Sequence, residues 1–279
     1  MNYYITMSLI EKQLSYVFSS DIANGAKNVS QDGDRFSVQL FTPISIPSNA
    51  LNCYLKLTRA TIWNTVPNIS LEIGNNQLYV YTDYVSTGVP VLHVITITDG
   101  LYSLEGLNSF LARTFVSLGL PSNIIFISAD ESTQKTVLKF NQPNTWIDFT
   151  QLNTPREVLG FNSRNVPLVP QASGYSETAD EVAKFNRTNS FLISGDLVSN
   201  GVPVNNINKG ILGEVLITAP PGSQINYTPF LPPSIDATEL IGKTKNFFTF
   251  TLTDQIGRSV DTNYETWSFL IVISYFVKV

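Results

Sequence analysis

Trp267-Ser268-Phe269-Leu270-Ile271-Val272-Ile273-Ser274-Tyr275-Phe276-Val277-Lys278-Val279 closes the chain. In an extended strand its alternation puts Trp267, Phe269, Ile271, Ile273 and Tyr275 on one face and Leu270, Val272 and Phe276 on the other. A strand apolar on both faces needs cover on both, from a second sheet, a helix or another subunit. Trp267, Phe269 and Ile271 are therefore expected in the core.

Upstream, Asn246–Leu252 alternates in the same way, and Asp254-Gln255-Ile256-Gly257 supplies turn residues between the two runs. Together they predict a closing hairpin. Other strands are expected at Phe36–Phe41, Cys53–Thr58, Val91–Ile97, Ile124–Ile127, Thr136–Phe140, Trp146–Phe149, Phe191–Ile193, Gly213–Thr218 and Gln224–Tyr227. Leu71–Ile73 and Leu78–Tyr81 flank Gly74-Asn75-Asn76-Gln77 and read as a further hairpin. Leu104, Leu107, Leu111, Phe115 and Leu118 recur at helical spacing, giving one convincing helix from Ser103 to Leu118, with Ser103 as N-cap and Gly119 and Pro121 as its stop. Leu107 and Leu111 are its expected core residues. Thr154-Pro155-Arg156-Glu157 has the form of a capping box opening a short second helix. Residues 162–188 read as loop.

Many short strands with turn signals between them indicate an all-β jelly-roll sandwich with an inserted segment carrying one α-helix. The expected organisation is an arm over residues 1–34, a body over 35–279, and an insertion at about 90–170.

Composition narrows the function. Charged residues are 14% and aromatic residues 11%, a mixture suited to half-buried pleated surfaces. Net charge is −5, and no Lys/Arg block is present to displace counterions from phosphates, so nucleic acid is not an expected partner. No run approaches the roughly 20 apolar residues of a membrane span. The start, MNYYITMSLIEKQ, lacks a basic region and a long apolar run, so no secretory leader is expected. The sequons at Asn28, Asn68, Asn186 and Asn226 are then chance products of an Asn-, Ser- and Thr-rich chain. Cys53 is alone, which excludes an intramolecular disulfide and fits a reducing compartment.

Catalytic chemistry is hard to find. His93 is the single histidine and lies in a strand pattern, without the partners of a triad. Cys53 shares a strand face with Leu55 and Leu57 and reads as a small hydrophobe. One Cys and one His cannot make a structural zinc site of the usual kinds. Phosphate-cradling glycine loops are absent. No catalytic residue or cofactor follows, and an enzyme is not expected. The candidate metal ligands are Asp254, Asp261 and Asn263, oxygen donors around one turn. Their spacing is not the established calcium loop, and Asp and Asn bonding their own backbone explains them equally.

Several phrases, in order, resemble the penton-type minor capsid proteins of virophages and Polinton-like viruses. They are Phe36–Phe41 with Cys53–Trp63 and Asn64; Ile95–Leu104, with Asp99-Gly100-Leu101-Tyr102-Ser103 before the helix; Thr133–Phe140; Leu159-Gly160-Phe161; Ile211–Ile217 before Gly222 and Ile225-Asn226-Tyr227; and Leu252–Asn263 with Trp267-Ser268-Phe269. Leu101 stands where the family pattern has tyrosine, and Tyr264 where it has glycine. The resemblance implies a jelly roll at the five-fold vertices of an icosahedral capsid. It would be a homopentamer, beside a larger double-jelly-roll major capsid protein as partner, with the arm reaching neighbouring subunits. The location implied is the virion, after synthesis in the host cytoplasm. Two other readings compete: a small major capsid protein with two jelly rolls, and a receptor- or glycan-binding spike head using Trp63 or Trp146 to stack on sugars.

Overall fold

Aromatic side chains on alternate positions of four distant segments meet in one place. Phe250 lies 4.6 Å from Phe18, 5.6 Å from Phe36 and 4.9 Å from Phe269 between ring centroids. Trp267 meets Phe36 edge-on at 4.9 Å. All five are buried. The computed structural model in which they meet describes residues 9–84, 88–171, 174–204 and 210–278. It divides into two units, one made of the chain up to Val66 together with Thr188 onward, the other of Pro67–Arg187.

The first unit contains β1 (Leu9–Ser19), β2 (Ala26–Lys27), β3 (Arg35–Ser45) and β4 (Ala50–Trp63) before the chain leaves it. The second unit contains β5 (Gln77–Thr82), β6 (Val91–Thr96), α1 (Leu104–Ser117), β7 (Ile125–Asp130), β8 (Lys135–Phe140), β9 (Trp146–Asp148), α2 (Arg156–Leu159), β10 (Asn165–Val166) and β11 (Tyr175–Thr178). On its return the chain adds β12 (Ser190–Gly195), β13 (Ile211–Leu216), β14 (Gln224–Tyr227), β15 (Ile235–Asp236), β16 (Thr244–Asp254) and β17 (Ser268–Lys278) to the first unit.

Two sheets make that first unit, ordered β1-β17-β4-β14 and β13-β12-β16-β3, with β15 added beside β4 and β2 beside β3. Every pairing is antiparallel. Taken in chain order, the eight main strands alternate between sheets except at β12 and β13, which pair within one sheet, as in a jelly roll, and the whole second unit is the connection between the third and fourth of them. The protein is thus an all-β jelly-roll sandwich with a helix-bearing insertion. The inward faces interdigitate closely: a Cβ on Gly213 of β13 would come 2.5 Å from Leu57 of β4, so only glycine fits there.

Several expectations change. Residues 1–34 were expected as an arm, yet Leu9–Ser19 is a full sheet member, paired with β17 from Leu9↔Lys278 to Ser19↔Ser268. Residues 1–8 of that arm lie outside the described residues. The inserted unit runs 67–187 rather than about 90–170. The closing hairpin does not exist, because β16 and β17 lie in opposite sheets and the connection between them crosses the sandwich. Leu71–Ile73 is a turn, not a strand: Asp99 accepts from the Leu71 N–H, and Asn75 accepts from the Ser70 N–H while donating to the Asn68 carbonyl. The capping box is not formed either, since the Thr154 hydroxyl donates to the Gln151 carbonyl and α2 has no side-chain cap.

The second unit has sheets β10-β9-β5-β6 and β11-β8-β7. Leu107, Leu111 and Phe115 of α1 are buried in its own hydrophobic cluster, with Val80, Ile95, Leu138 and Ile147. Ser103 caps α1 by accepting from the Gly106 N–H, as its sequence predicts. The free edge of β7 is guarded by Asn108, whose side chain donates to the Ile127 carbonyl at 2.6 Å and accepts its N–H at 2.9 Å. This order does not repeat the jelly roll, so the double-jelly-roll alternative fails on topology.

Phe250 packs at the centre of the aromatic cluster. Phe250→Ala should therefore cost about 3–5 kcal/mol, read as a lower denaturant midpoint.

Candidate functional site

The residues that chemistry would need are placed for structure. Cys53 is fully buried on the inward face of β4, and that burial, helped by Asp236, pushes its thiol up to about 11. A thiol held neutral is a poor nucleophile. His93 is half-buried on β6, opposite Val80. Asn68, one of the sequon residues, is buried and donates to the carbonyls of Tyr102 and Phe185.

Asp254 and Asp261, two of the candidate ligands, accept hydrogen bonds from their own turn. The Asp254 carboxylate accepts from the Ile256 N–H at 3.0 Å, the Arg258 N–H at 2.9 Å and the Arg258 guanidinium at 2.7 Å. Asp261 accepts from the Asn263 N–H at 2.7 Å. Among the described residues, no three His, Cys, Asp or Glu side chains form a metal-binding group. These carboxylates shape the β16–β17 connection instead.

Two depressions are lined by charge. One, of about 320 Å³, lies among Asp196, Glu239, Lys243 and Lys245, where Lys245 pairs with Asp196 at 3.3 Å and Glu239 accepts from the Ser199 hydroxyl at 2.7 Å. The other, of about 380 Å³, lies among Arg156, Glu157, Glu181 and Lys184. Neither joins a nucleophile to a base. In the second unit Arg164 bridges Glu177 and Asp180, clasping the residue before β10 to β11 and the segment after it. Burial raises the Asp180 carboxyl, but the Asn162 N–H and Arg164 outweigh it, leaving it below the usual carboxylate range.

The outer surface of the first unit is more informative. On the face of β1-β17-β4 turned away from the core, Val17 neighbours Leu270, which neighbours Arg59; in the next row Ser15, Val272 and Lys56 are side by side. Val17 is 58% exposed, and Leu270 and Val272 are only half-buried. The outward apolar face of the closing strand is thus left without cover. On the other sheet Phe41 is fully exposed, near Phe247 on the adjacent strand.

One turn breaks a local rule. Asn263 and Tyr264 take φ of 53° and 64°, and the Glu265 N–H donates to the Thr262 carbonyl at 3.0 Å. Two central residues with positive φ define a primed turn, where Asn-Gly is the unstrained pair. Tyrosine there costs about 1–2 kcal/mol, and its ring, 89% exposed, recovers none of that within the chain. The base of the turn is fixed: the Thr262 N–H donates to Asp32, its carbonyl accepts from Thr65, and a Cβ on Gly33 (φ +71°) would collide with its hydroxyl at 2.2 Å.

No family model matches the sequence, and no curated protein matches it. Among solved structures, the chain is similar to the crystal structure of the selenomethionine-labelled mavirus penton protein. That match is 12% identical, covers 97% of this chain and 100% of that one, and has a TM-score of 0.48. The class defined by the strand order itself is a single jelly roll interrupted by a helix-bearing second unit. Among the described residues no helix is long and apolar enough to cross a membrane.

Adding millimolar calcium should leave the thermal midpoint unchanged, while Asp254→Ala should lower stability by about 1–3 kcal/mol through orphaned N–H groups. Asp180 has a lowered folded pKa, so its stabilisation is complete above the unfolded Asp value of about 3.9 and is lost as pH falls through the lower folded value. Arg164→Ala should cost about 1–2 kcal/mol at neutral pH and less at pH 2, measured by denaturant unfolding at both.

Proposed function

We propose that the chain is a structural viral capsid protein, self-associating into the pentameric vertex of an icosahedral shell beside a larger major capsid protein. The observation that carries this reading is the uncovered outward face of β17. A closed sandwich has no further use for Leu270 and Val272 on its outside, and exposed apolar patches of this kind mark protein contacts. The ordered phrases shared with penton-type proteins support the same reading.

A ring of identical subunits requires a heterologous contact, in which one surface of each copy meets a different surface of the next. The exposed aromatic and aliphatic groups of the first unit provide such surfaces without disturbing its core. The spike-head reading is less supported: Trp146 already stacks on Tyr81, at 4.8 Å and 3° between planes, and Trp63 is half-buried. As a capsid component the protein would be made in the host cell and located in the virion, with no catalytic role.

Light scattering across a concentration series tests this. A closed species of about five chains, each of 30.9 kDa, is expected. A trimer, or a monomer at every concentration, would overturn the self-assembling vertex.

A further inference from the structure

We propose that the Asn263-Tyr264 turn of one copy seats on the outer face of the β1-β17-β4 sheet of a second copy, with Tyr264 packed over Leu270 and Val272 and Glu265 paired with Arg59 or Lys56. The inference rests on the self-association proposed above and specifies its contact.

Four observations on the turn converge. Its backbone conformation is one that a large side chain disfavours and glycine accepts. The side chain found there is nonetheless a tyrosine, turned almost wholly to solvent. The turn is held in place by bonds from Thr262 to Asp32 and from Thr65 to Thr262, so the ring is presented on a rigid base and loses little freedom on docking. Its flanks are acidic: Glu265 is exposed with no side-chain partner among the described residues, and Asp261 bonds only the Asn263 N–H.

The receiving face has the complementary composition. Val17, Leu270 and Val272 give an apolar floor, and Arg59 and Lys56 stand beside Leu270 and Val272 on β4. Neither cation pairs with a carboxylate among the described residues; their two rows on β1, β17 and β4 carry no acid, and Asp236, beside Tyr54 in the row beyond Lys56, accepts from Thr238. A tyrosine between carboxylates meets there both an apolar floor and a guanidinium that can lie over its ring. Because turn and face are different surfaces of the same unit, the contact is heterologous, as a ring demands.

The test uses the full chain and two kinds of variant. Tyr264→Gly relieves the backbone, so the dissociated chain should melt roughly 2–4 °C higher, while self-association weakens roughly tenfold or more. A purely structural role for Tyr264 would not move these two readouts in opposite directions. Arg59→Glu should weaken association comparably, and combining it with Glu265→Arg should restore part of the loss, because the charges are exchanged across the contact. A wild-type assembly that Tyr264→Gly leaves equally tight overturns this contact and spares the vertex reading. So does an Arg59→Glu chain that assembles normally, or a charge exchange without recovery. A wild-type chain that stays monomeric overturns the vertex reading and this contact together.

Discussion

Phe18, Phe36, Phe250, Trp267 and Phe269 come from four strands far apart in the chain, and their meeting is what closes the sandwich. Trp267 does more than fill space. Its indole N–H donates to the Gly33 carbonyl and its backbone N–H to Ser20, while the Ser20 N–H donates back to the Trp267 carbonyl. The connection leaving β1 and the one entering β17 are thereby tied at one end. With that end fixed, β17 lies between β1 and β4, in unbroken register with β1 and with two register shifts against β4, and its alternation directs Phe269, Ile271 and Ile273 inward. A slip of one residue would exchange this face for Leu270 and Val272 and leave the aromatic cluster without its centre.

The closing strand was therefore legible as a strand and as core, but its partner was not. Alternation states which residues share a face; it says nothing about which strand lies beside them. Proximity in sequence favours a hairpin with β16, and the jelly roll instead sends β17 to the other sheet, where β1 and β4 flank it. The same limit hid β1. Leu14, Tyr16 and Phe18 alternate as a strand should, but the polar, Gly-containing stretch after them sets the segment apart from the body, and Glu11, Lys12 and Gln13 precede them. Those polar residues lie on the exposed outer half of an edge strand, where charge guards against unwanted pairing.

Helix α1 was legible almost to the residue because its signal is local: one apolar stripe, a serine cap and a glycine stop. The elements at 165–166 and 175–178 were not, since two- and four-residue strands have no periodicity to read. They are fixed by long-range groups, among them Arg164 between Glu177 and Asp180 and Lys135 donating to the Asp180 carbonyl. The oxygen-rich turn was legible as a cluster but ambiguous as chemistry. In the fold the carboxylate of Asp254 accepts from the N–H groups and guanidinium around it.

An inserted unit of this size is tolerated because it buries its own apolar residues. The chain departs after β4 and returns before β12 at the end of the sandwich that the bonds of Trp267 to Gly33 and Ser20 tie, where Thr61 pairs with Ser268 and Phe191 with Asp254. The second unit carries its own core around Phe115, Leu138 and Ile147, so its residues need nothing from the aromatic cluster to bury their apolar faces. The tyrosine in a glycine conformation, a departure of the first unit from local preference, lies on its surface and not in its core. Such strain persists where the surrounding structure over-determines it, as the bonds of Thr262 to Asp32 and Thr65 do at the base of this turn.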